Sequence, residues 1–490
     1  MDSSTRLALL LAYSVGLTLF GVWVGRRVRG SADFFVAGRR LTAPLVFSTV
    51  LAANIGAGTT IGAAGQAYLD GVSAWWWNGA AGLGSLVLAF WIGPRLWQAA
   101  ADHGFLTAGD YLEFRYGSLV RGLLASLIWL GTLAILAGQL IAGAAVLTAV
   151  ADIPRPIGAA IGGIAMTIYF TAGGLLSSAW VNAVQLVVLL VGLALAVPLA
   201  VSAAGGLDAI ATTGGLPPTF WDPWYSSGPG SGYAFIALLT PAFVISPGLI
   251  QKAYGAADQR AVRLGIGAAG VAQMLFAFVP LVLGLAARHL HPDLAQRDLV
   301  LPTLLVESLP WFVGTLALAA VFSAEVSTCD AILFMLSTSL SQDLYKRFVN
   351  RRAGDAQVLR VARAAALVGG LAGVLLAVRL PNVIAALSIF YSLLGVSLFV
   401  PIVAGLYVRR AGTPEALASI AAGMATLLYL TGQPWAMRSI WFNPSLAGLV
   451  AAALAFFVVV AVRRPTDGAR GSGPGAREGT QAAHAARRVR

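Results

Sequence analysis

The sequence predicts an all-α polytopic membrane protein, and three observations lead to that prediction. Of the 490 residues, 58% are hydrophobic and only 11% are charged, whereas soluble domains carry about 25% charged residues. Apolar stretches of about 20 residues, the length that a helix needs to cross a bilayer, recur about thirteen times. Arg and Lys residues cluster at the ends of these stretches, as is typical of membrane helices.

The predicted membrane segments follow one another along almost the whole chain. They cover residues 6–25, 43–67, 73–95, 120–150, 156–173, 178–204, 233–251, 261–287, 307–343, 358–379, 382–407, 415–431 and 444–462. The first is followed by Arg26 and lacks a small-residue cleavage site, so we interpret it as a membrane helix and not as a signal peptide. The tail, residues 463–490, has no periodicity and is predicted to be disordered.

The distribution of basic residues predicts the orientation of the chain. With thirteen segments and an exterior N-terminus, all but six of the 32 Arg and Lys residues lie on the cytoplasmic side, in agreement with the positive-inside rule. We therefore expect a multi-pass protein of the cell (inner or plasma) membrane with a cytoplasmic C-terminus. The same rule accounts for the net charge of +12, so nucleic acid is not an expected partner. No obligate protein partner is evident either.

Two of the predicted segments contain residues that interrupt a helix. The second carries four Gly between residues 56 and 65, and the seventh carries Pro241, Pro247 and Gly248. Gly costs up to about 1 kcal/mol relative to Ala inside a helix, and Pro removes a helix hydrogen bond. Interruptions at corresponding places in two halves indicate a transporter site built from inverted repeats. The alternative is that these glycines only allow close helix packing.

The paired interruptions predict a 5+5 inverted-repeat core with one extra N-terminal and two extra C-terminal helices. The predicted boundaries are 1–42 for the first helix and a cytoplasmic basic loop, 43–204 for repeat 1 (helices 2–6), 205–232 for an exterior loop, 233–407 for repeat 2 (helices 7–11) and 408–462 for helices 12–13. The exterior loop contains Trp221, Trp224 and Tyr225. It is either an external lid or an amphipathic cap at the membrane surface.

The ninth segment carries polar side chains at membrane depth. They are Ser323, Glu325, Ser327, Thr328 and Asp330. Such groups are costly in an apolar helix unless they face partners, water or an ion, which favours a functional role. At 100° per residue, Ala324, Ser327 and Thr328 share one face. One backbone carbonyl and two hydroxyls on that face are suited to a small monovalent cation.

The run SAEVSTCDAILFMLSTSLSQDLY, residues 323–345, resembles the sodium-site helix of the sodium:solute symporter family. Three more runs resemble that family: SADFFVAGRRLTAPLVFSTVLAANIGAG, GGLLSSAWVNAVQLVVLL and SPGLIQKAYGAADQRAVRLG. The resemblance implies a leucine-transporter-type fold. It also implies that the backbone carbonyls of Ala52 and Ile55 complete a sodium site with Ala324, Ser327 and Thr328.

Four more residues are predicted to support the sodium site or to couple it to transport. The second of the three runs has Asn182 where the family has Asp, and it retains Gln185. We assign this role to both residues and to Glu325 and Asp330 of the polar helix. Glu325 lies beside Thr328 but off the centre of the hydroxyl face. A structural hydrogen bond and a sodium-linked or proton-linked role are both open to it.

Polar and aromatic side chains near the interruptions predict a substrate pocket. The residues are Asn54, Thr59, Thr60, Gln66, Trp76, Phe243, Ser246 and Tyr391. For Trp76 the alternative is an aromatic belt at the membrane surface. For Tyr391 and Gln139 the alternative is a hydrogen bond between helices.

These features predict a transporter and not an enzyme. The sequence shows neither a catalytic pairing of His, Cys or clustered carboxylates nor a GxxxxGK[ST] run for nucleotide binding. The resemblance implies a secondary active symporter that couples Na⁺ to the import of a small organic solute by alternating access. The alternatives are a proton-coupled transporter of the same fold, for which Glu325 is the relevant carboxylate, and a transport-inactive solute sensor.

Overall fold

The computed structural model describes residues 3–25, 37–172, 175–224, 232–436 and 442–463. Its helices are α1 (Ser3–Gly25), α2 (Ala43–Asn54), α3 (Ala63–Asp70), α4 (Trp75–Val87), α5 (Gly93–His103), α6 (Ala108–Tyr116), α7 (Ser118–Ala151), α8 (Arg155–Ala172), α9 (Leu175–Ala203), α10 (Leu207–Ala211), α11 (Gly232–Val244), α12 (Pro247–Gly255), α13 (Gln259–Phe276), α14 (Phe278–Leu290), α15 (Val300–Thr303), α16 (Trp311–Thr338), α17 (Asp355–Arg379), α18 (Val383–Tyr407), α19 (Thr413–Thr431) and α20 (Pro444–Val462). Short π-helical stretches occupy Gly58–Gly62, Leu88–Ile92, Leu304–Ser308 and Ser339–Val349. Apart from residue 463, the tail predicted to be disordered lies outside the described residues.

The all-α membrane class is confirmed. Within the described residues, 10 helices are long and apolar enough to cross a membrane. One of them, Gly58–His103, runs through 46 residues, because a 3-10 turn at Gly71–Ala74 connects α3 to α4 and a π-helical turn at Leu88–Ile92 connects α4 to α5. Each of the thirteen predicted segments overlaps one of the helices above or a pair of them. The number of crossings and the boundaries of the two repeats stay predictions.

The interruption predicted in the second segment is a real break. Helix α2 ends at Asn54, and Ile55 is extended, with φ −95° and ψ 92°. The chain becomes helical again with the π-helical turn that starts at Gly58. A Cβ atom on Gly56 would lie only 2.3 Å from Thr328 Oγ1. Glycine at the break therefore lets the backbone approach α16 closely.

The seventh segment is broken in the same way. Helix α11 ends at Val244, and α12 begins at Pro247 after the non-helical Ser246. Proline is favoured at the first position of a helix, where its missing N–H has no helical partner in any case. A Cβ atom on Gly248 would lie 2.9 Å from Met335 Sδ of α16. Both broken helices thus abut α16.

The long helices pack in two sets. In the first set α4 packs against α11 and α13, α2 against α13, and α3 against α14. In the second set α7, α8, α16 and α17 pack against one another. The sets meet where α2 contacts α16, while α19 and α20 pack together on the outer side of α18. The first break therefore lies at the boundary between the two sets.

Candidate functional site

The predicted cation site is assembled between α16 and the end of α2. Ser327 Oγ lies 2.9 Å from the carbonyl oxygens of both Ala52 and Ala324. Thr328 Oγ1 lies 3.3 Å from the carbonyl oxygen of Ala52. All four residues are buried. The structure thus brings two hydroxyls and two carbonyls together, although Ala52 and Ser327 are 275 residues apart in sequence.

The carbonyl of Ile55 is available at the same place. In a regular helix it would accept the N–H of Thr59, but that N–H donates to the carbonyl of Gly56 at 3.1 Å. The backbone oxygen of Ile55 is therefore not committed to this helical bond. Ile55 is fully buried, so its carbonyl needs another partner inside the protein.

The chemistry of this oxygen set fits a monovalent cation. A hydroxyl keeps two lone pairs besides the hydrogen that it donates, so a cation among these oxygens can be held by hydroxyl and carbonyl lone pairs together. The set carries no formal charge, and only oxygen is present, which suits a hard cation. In the described part of the chain, no group of three or more His, Cys, Asp or Glu side chains is placed to hold a metal ion.

Side chains hold the first break in its non-helical form. The N–H of Ala57 donates to Gln139 Oε1 of α7 at 2.9 Å. The N–H of Gly56 donates to Thr59 Oγ1 at 2.7 Å, and Thr60 Oγ1 donates to the carbonyl of Gly56 at 2.9 Å. Backbone groups that the break removes from helical bonding therefore find partners. Gln139 thus adds a contact from α7 to those that α16 makes with this break.

A small cavity adjoins the cation site. Four of the predicted substrate residues line it, namely Asn54, Thr59, Phe243 and Tyr391. Thr328 also lines the cavity, so one side chain borders both sites. The cavity volume is about 30 Å³, which is room for about two water molecules. An organic solute can enter only when the surrounding helices move apart.

The structure brings Trp77, and not Trp76, to this cavity. The ring of Trp77 lies 6.2 Å from that of Tyr391 and 5.4 Å from that of Phe235, centre to centre. The ring of Trp76 packs instead on Trp224 of the exterior loop at 4.6 Å. Neighbouring residues of a helix point about 100° apart, so three consecutive Trp residues do not reveal which one faces the pocket.

The other predicted substrate residues lie outside the cavity lining. Thr60 bonds the carbonyl of Gly56, and Ser246 precedes α12 at the second break. Gln66 accepts a hydrogen bond from Arg297 at 3.1 Å and lines a separate groove between α3, α11 and α18. These three side chains are placed to support the breaks or an entrance and not to contact a solute in this conformation.

Among the predicted coupling residues, Glu325 is a fully buried carboxylate without a hydrogen-bond partner in the described part of the chain. Its Oε2 lies 3.4 Å from where a Cβ atom on Gly143 of α7 would be. The side-chain amide of Gln185 is also buried without such a partner. The side chains of Asn182 and Asp330 lie outside the described residues.

Residues 34–423 match the model of the sodium:solute symporter family. The chain belongs to this family. This symporter is 29% identical over 479 residues to the sodium/pantothenate symporter of Escherichia coli (strain K12), a match that covers 92% of this chain and 95% of that protein. It is 24% identical to the human high affinity choline transporter 1, over 86% of this chain and 76% of the other.

Solved structures agree on the fold of the symporter. A substrate-bound, outward-open Na⁺-coupled sialic acid symporter superposes with a TM-score of 0.80 at 18% identity, over 94% of this chain and 98% of that one. A closed transporter of the nucleobase-cation-symport-1 family superposes with a TM-score of 0.61 at 15% identity, over 88% and 95% of the two chains. The symporter is thus a multi-pass membrane transporter of the leucine-transporter-type fold, with Na⁺ as its coupling ion and a small molecule as its substrate. It is not an enzyme.

Proposed function

We propose that this symporter imports a small organic solute by alternating access, with Na⁺ held by Ala52, Ile55, Ala324, Ser327 and Thr328. The observation that carries the proposal is the contact of Ser327 Oγ with the carbonyls of Ala52 and Ala324, 2.9 Å in each case. A cation held by these oxygens links the broken helix of the first set to α16 of the second. It therefore stabilises the arrangement in which the two sets are joined.

The cavity beside this site gives the coupling its physical basis. Thr328 borders the cavity as well as the cation site, so a solute in the cavity and a cation in the site stabilise the same position of α16. Such coupling is reciprocal: the solute raises the affinity for sodium by the factor by which sodium raises that for the solute. Rocking of the first helix set against the second then exposes the filled sites to the other side.

The solute is held, in this proposal, by Asn54, Thr59, Phe243 and Tyr391, with Trp77 as an additional wall. No charged side chain of the described residues lines the cavity. The polar contacts available to a solute are therefore amides, hydroxyls and backbone groups at the break, whereas the aromatic rings contact its apolar parts. Import requires the N-out, C-in orientation that the basic residues predict. A reporter fused after Arg490 should accordingly be cytoplasmic.

Transport in liposomes tests the function. A thermal-shift screen of small metabolites, with and without sodium, first identifies a ligand, because a bound solute stabilises the folded protein. Uptake of that ligand is then driven by an imposed sodium gradient or by an imposed proton gradient. We expect uptake only with sodium. Uptake driven by protons in the absence of sodium would favour the alternative, for which the buried and unpartnered Glu325 is the supporting observation.

A further inference from the structure

The end of the bundle that holds α6 contains a cleft that shares no lining residue with the cation site. This cleft, of about 490 Å³, opens between α6 and the π-helical stretch Ser339–Val349. Arg115 of α6 donates to the carbonyls of Gly405 and Val408 at 2.8 Å, so the loop after α18 lies at the same end. The transport cycle proposed above uses none of the residues that line this cleft.

One wall of the cleft is cationic. Lys346, Arg347 and Arg351 line it, and Arg351 Nε donates to the carbonyl of Arg347, one helical turn earlier, at 3.2 Å. Arg347 is paired with Glu113 of α6. In contrast, no carboxylate of the described residues lies within 4.0 Å of the charged groups of Lys346 or Arg351. Two positive charges therefore line the cleft without an acidic partner among the described residues.

The acidic residues in and next to the cleft are ion-paired with Arg121 and Arg347, and with Lys346 and Arg351 the four cations outnumber the three carboxylates by one. The guanidinium of Arg121 lies 2.8 Å from Asp110, 2.8 Å from Glu113 and 2.7 Å from Asp343. These carboxylates accept bonds from a buried cation, so they are held in place and are not free to turn toward Lys346. The carboxylates therefore stay fixed beside the two cations that lack an acidic partner among the described residues.

Another part of the lining is aromatic. The ring of His103 lies 4.5 Å from that of Phe114 and 5.3 Å from that of Phe105, centre to centre. The left-handed conformation of Gly104, with φ 72°, reverses the chain after α5 and allows this stack. Phe114 remains 43% exposed. A ligand in the cleft therefore meets both positive charge and apolar rings.

The surface next to the cleft is apolar and faces outward. Leu119, Phe348 and Val349 are exposed by 62%, 48% and 74%. Phe348 also packs close to Gly122 of α7. In a membrane protein, exposed apolar side chains of this kind contact lipid chains. The cleft thus joins a pair of cations to a surface suited to acyl chains.

We propose that this cleft binds the phosphate headgroup of an anionic phospholipid, with Lys346 and Arg351 contacting the phosphate. Basic pockets between membrane helices are typical sites for anionic headgroups, and the planar fork of Arg matches phosphate geometry. A free phosphate ion carries the same kind of charge as a phospholipid headgroup, but it has no apolar part that could contact Phe114 or the apolar surface beside the cleft. The site ties the lipid to both α6 and the stretch that continues α16.

Lipid titration of the purified full-length protein tests this proposal. In a neutral detergent, we expect phosphatidylglycerol to raise the melting temperature, whereas phosphatidylcholine and inorganic phosphate do not. The double variant Lys346→Gln/Arg351→Gln should lower the apparent affinity for phosphatidylglycerol at least about ten-fold, since each cation near a membrane surface contributes to headgroup binding. Neither side chain has an ion pair with another described residue to lose, so the variant should fold like the wild type.

The matched control is Arg409→Gln/Arg410→Gln, which removes two exposed charges from the loop at the same end of the bundle. This control should keep the wild-type response to phosphatidylglycerol. An equal loss of phosphatidylglycerol affinity in both double variants would show a general charge effect and would contradict a specific site in the cleft. Equal stabilisation by inorganic phosphate would overturn the lipid assignment, and no response of the wild type to phosphatidylglycerol would overturn both.

Discussion

Both broken helices are interrupted by a short non-helical segment, but the two interruptions are stabilised in different ways. At the first break, backbone groups are held by polar side chains from elsewhere, such as Gln139 on the N–H of Ala57 and Ser327 on the carbonyl of Ala52. At the second break, Pro247 starts the new helix and Gly248 packs against the thioether of Met335. The first break is a polar site at the boundary between helix sets. The second break is a tightly packed contact between α12 and α16.

The difference shows that a broken helix is not by itself a binding site. A break frees backbone carbonyls and N–H groups, and these must find partners when they are buried. Where hydroxyls and amides supply the partners, the arrangement also suits an ion. Where Pro removes an N–H from the break, as Pro247 does, one fewer polar partner is needed. Changes at equivalent positions of the two breaks should therefore have unequal effects.

The largest effect is expected from Gly56→Ala, compared with Gly248→Ala. The added methyl group at residue 56 would lie 2.3 Å from Thr328 Oγ1 and 2.8 Å from Gln139 Oε1, and overpacking of this kind costs about 1–3 kcal/mol. At residue 248 it meets the flexible end of Met335, which can turn aside. We expect Gly56→Ala to abolish the sodium-induced rise in melting temperature and Gly248→Ala to keep it. Equal responses would contradict the comparison.

A smaller loss is expected from Gln139→Leu. It leaves the buried N–H of Ala57 without its acceptor, which costs about 1–3 kcal/mol. The control is Gln251→Leu on α12, because Gln251 is equally buried but makes only a long bond of 3.4 Å to the carbonyl of Leu106. Melting temperatures without sodium should fall more for Gln139→Leu. A larger fall for the control would show that the first break does not depend on its side-chain partner.

Removal of one hydroxyl tests the cation site directly. Ser327→Ala and Thr328→Ala should each raise the sodium concentration for half-maximal stabilisation about ten-fold, which corresponds to about 1.4 kcal/mol. Ser337→Ala is the matched control, since this buried hydroxyl of α16 bonds only a carbonyl of its own helix, that of Phe334. Unchanged sodium dependence in both site variants would remove the site from α16.

Glu325→Gln should weaken sodium binding by a few-fold. The substitution keeps the shape of the buried side chain but removes its capacity to ionise when a cation binds one residue away at Ala324, where a medium of low dielectric constant strengthens the attraction between the two charges. The measurement is again half-maximal stabilisation by sodium. Wild-type sodium affinity in this variant would leave only a structural role for Glu325.

The smallest effect concerns Asp298, a carboxylate away from both breaks. Burial raises its pKa to about 6, although the N–H of Val383 and the charges of Arg155 and Arg297 oppose the shift. The pKa of Asp298 in the folded state exceeds the unfolded value of about 3.9, so protonation of this group favours the folded state. Its contribution to the free energy of unfolding is fully present below about pH 4 and is lost as the pH rises through about 6. We expect Asp298→Asn to melt about a degree or two above the wild type at pH 7.5 and level with it at pH 4.5. A difference that does not change with pH would contradict this.

Much of the site was predictable from the ninth segment. Hydroxyls at membrane depth, together with the helical period, placed Ser327 and Thr328 on one face, and the structure shows that face against Ala52. Trp77 and Gln139 were not predicted as cavity residues. The three consecutive Trp residues differ only in direction around α4, and a Gln in an apolar helix gives no sign of whether it bonds a neighbouring helix or lines a pocket.

The sequence by itself determined the membrane class, the helical segments and the two breaks, because apolar length, Gly and Pro act through local energetics. Only the tertiary structure decided which buried groups meet. The contact between Ser327 and Ala52 and that between Gln139 and Ala57 each depend on how separate helices pack. The lack of an acidic partner for Lys346 and Arg351 within the described part of the chain depends on helix packing in the same way, since it requires that no acidic side chain of a neighbouring helix reaches them.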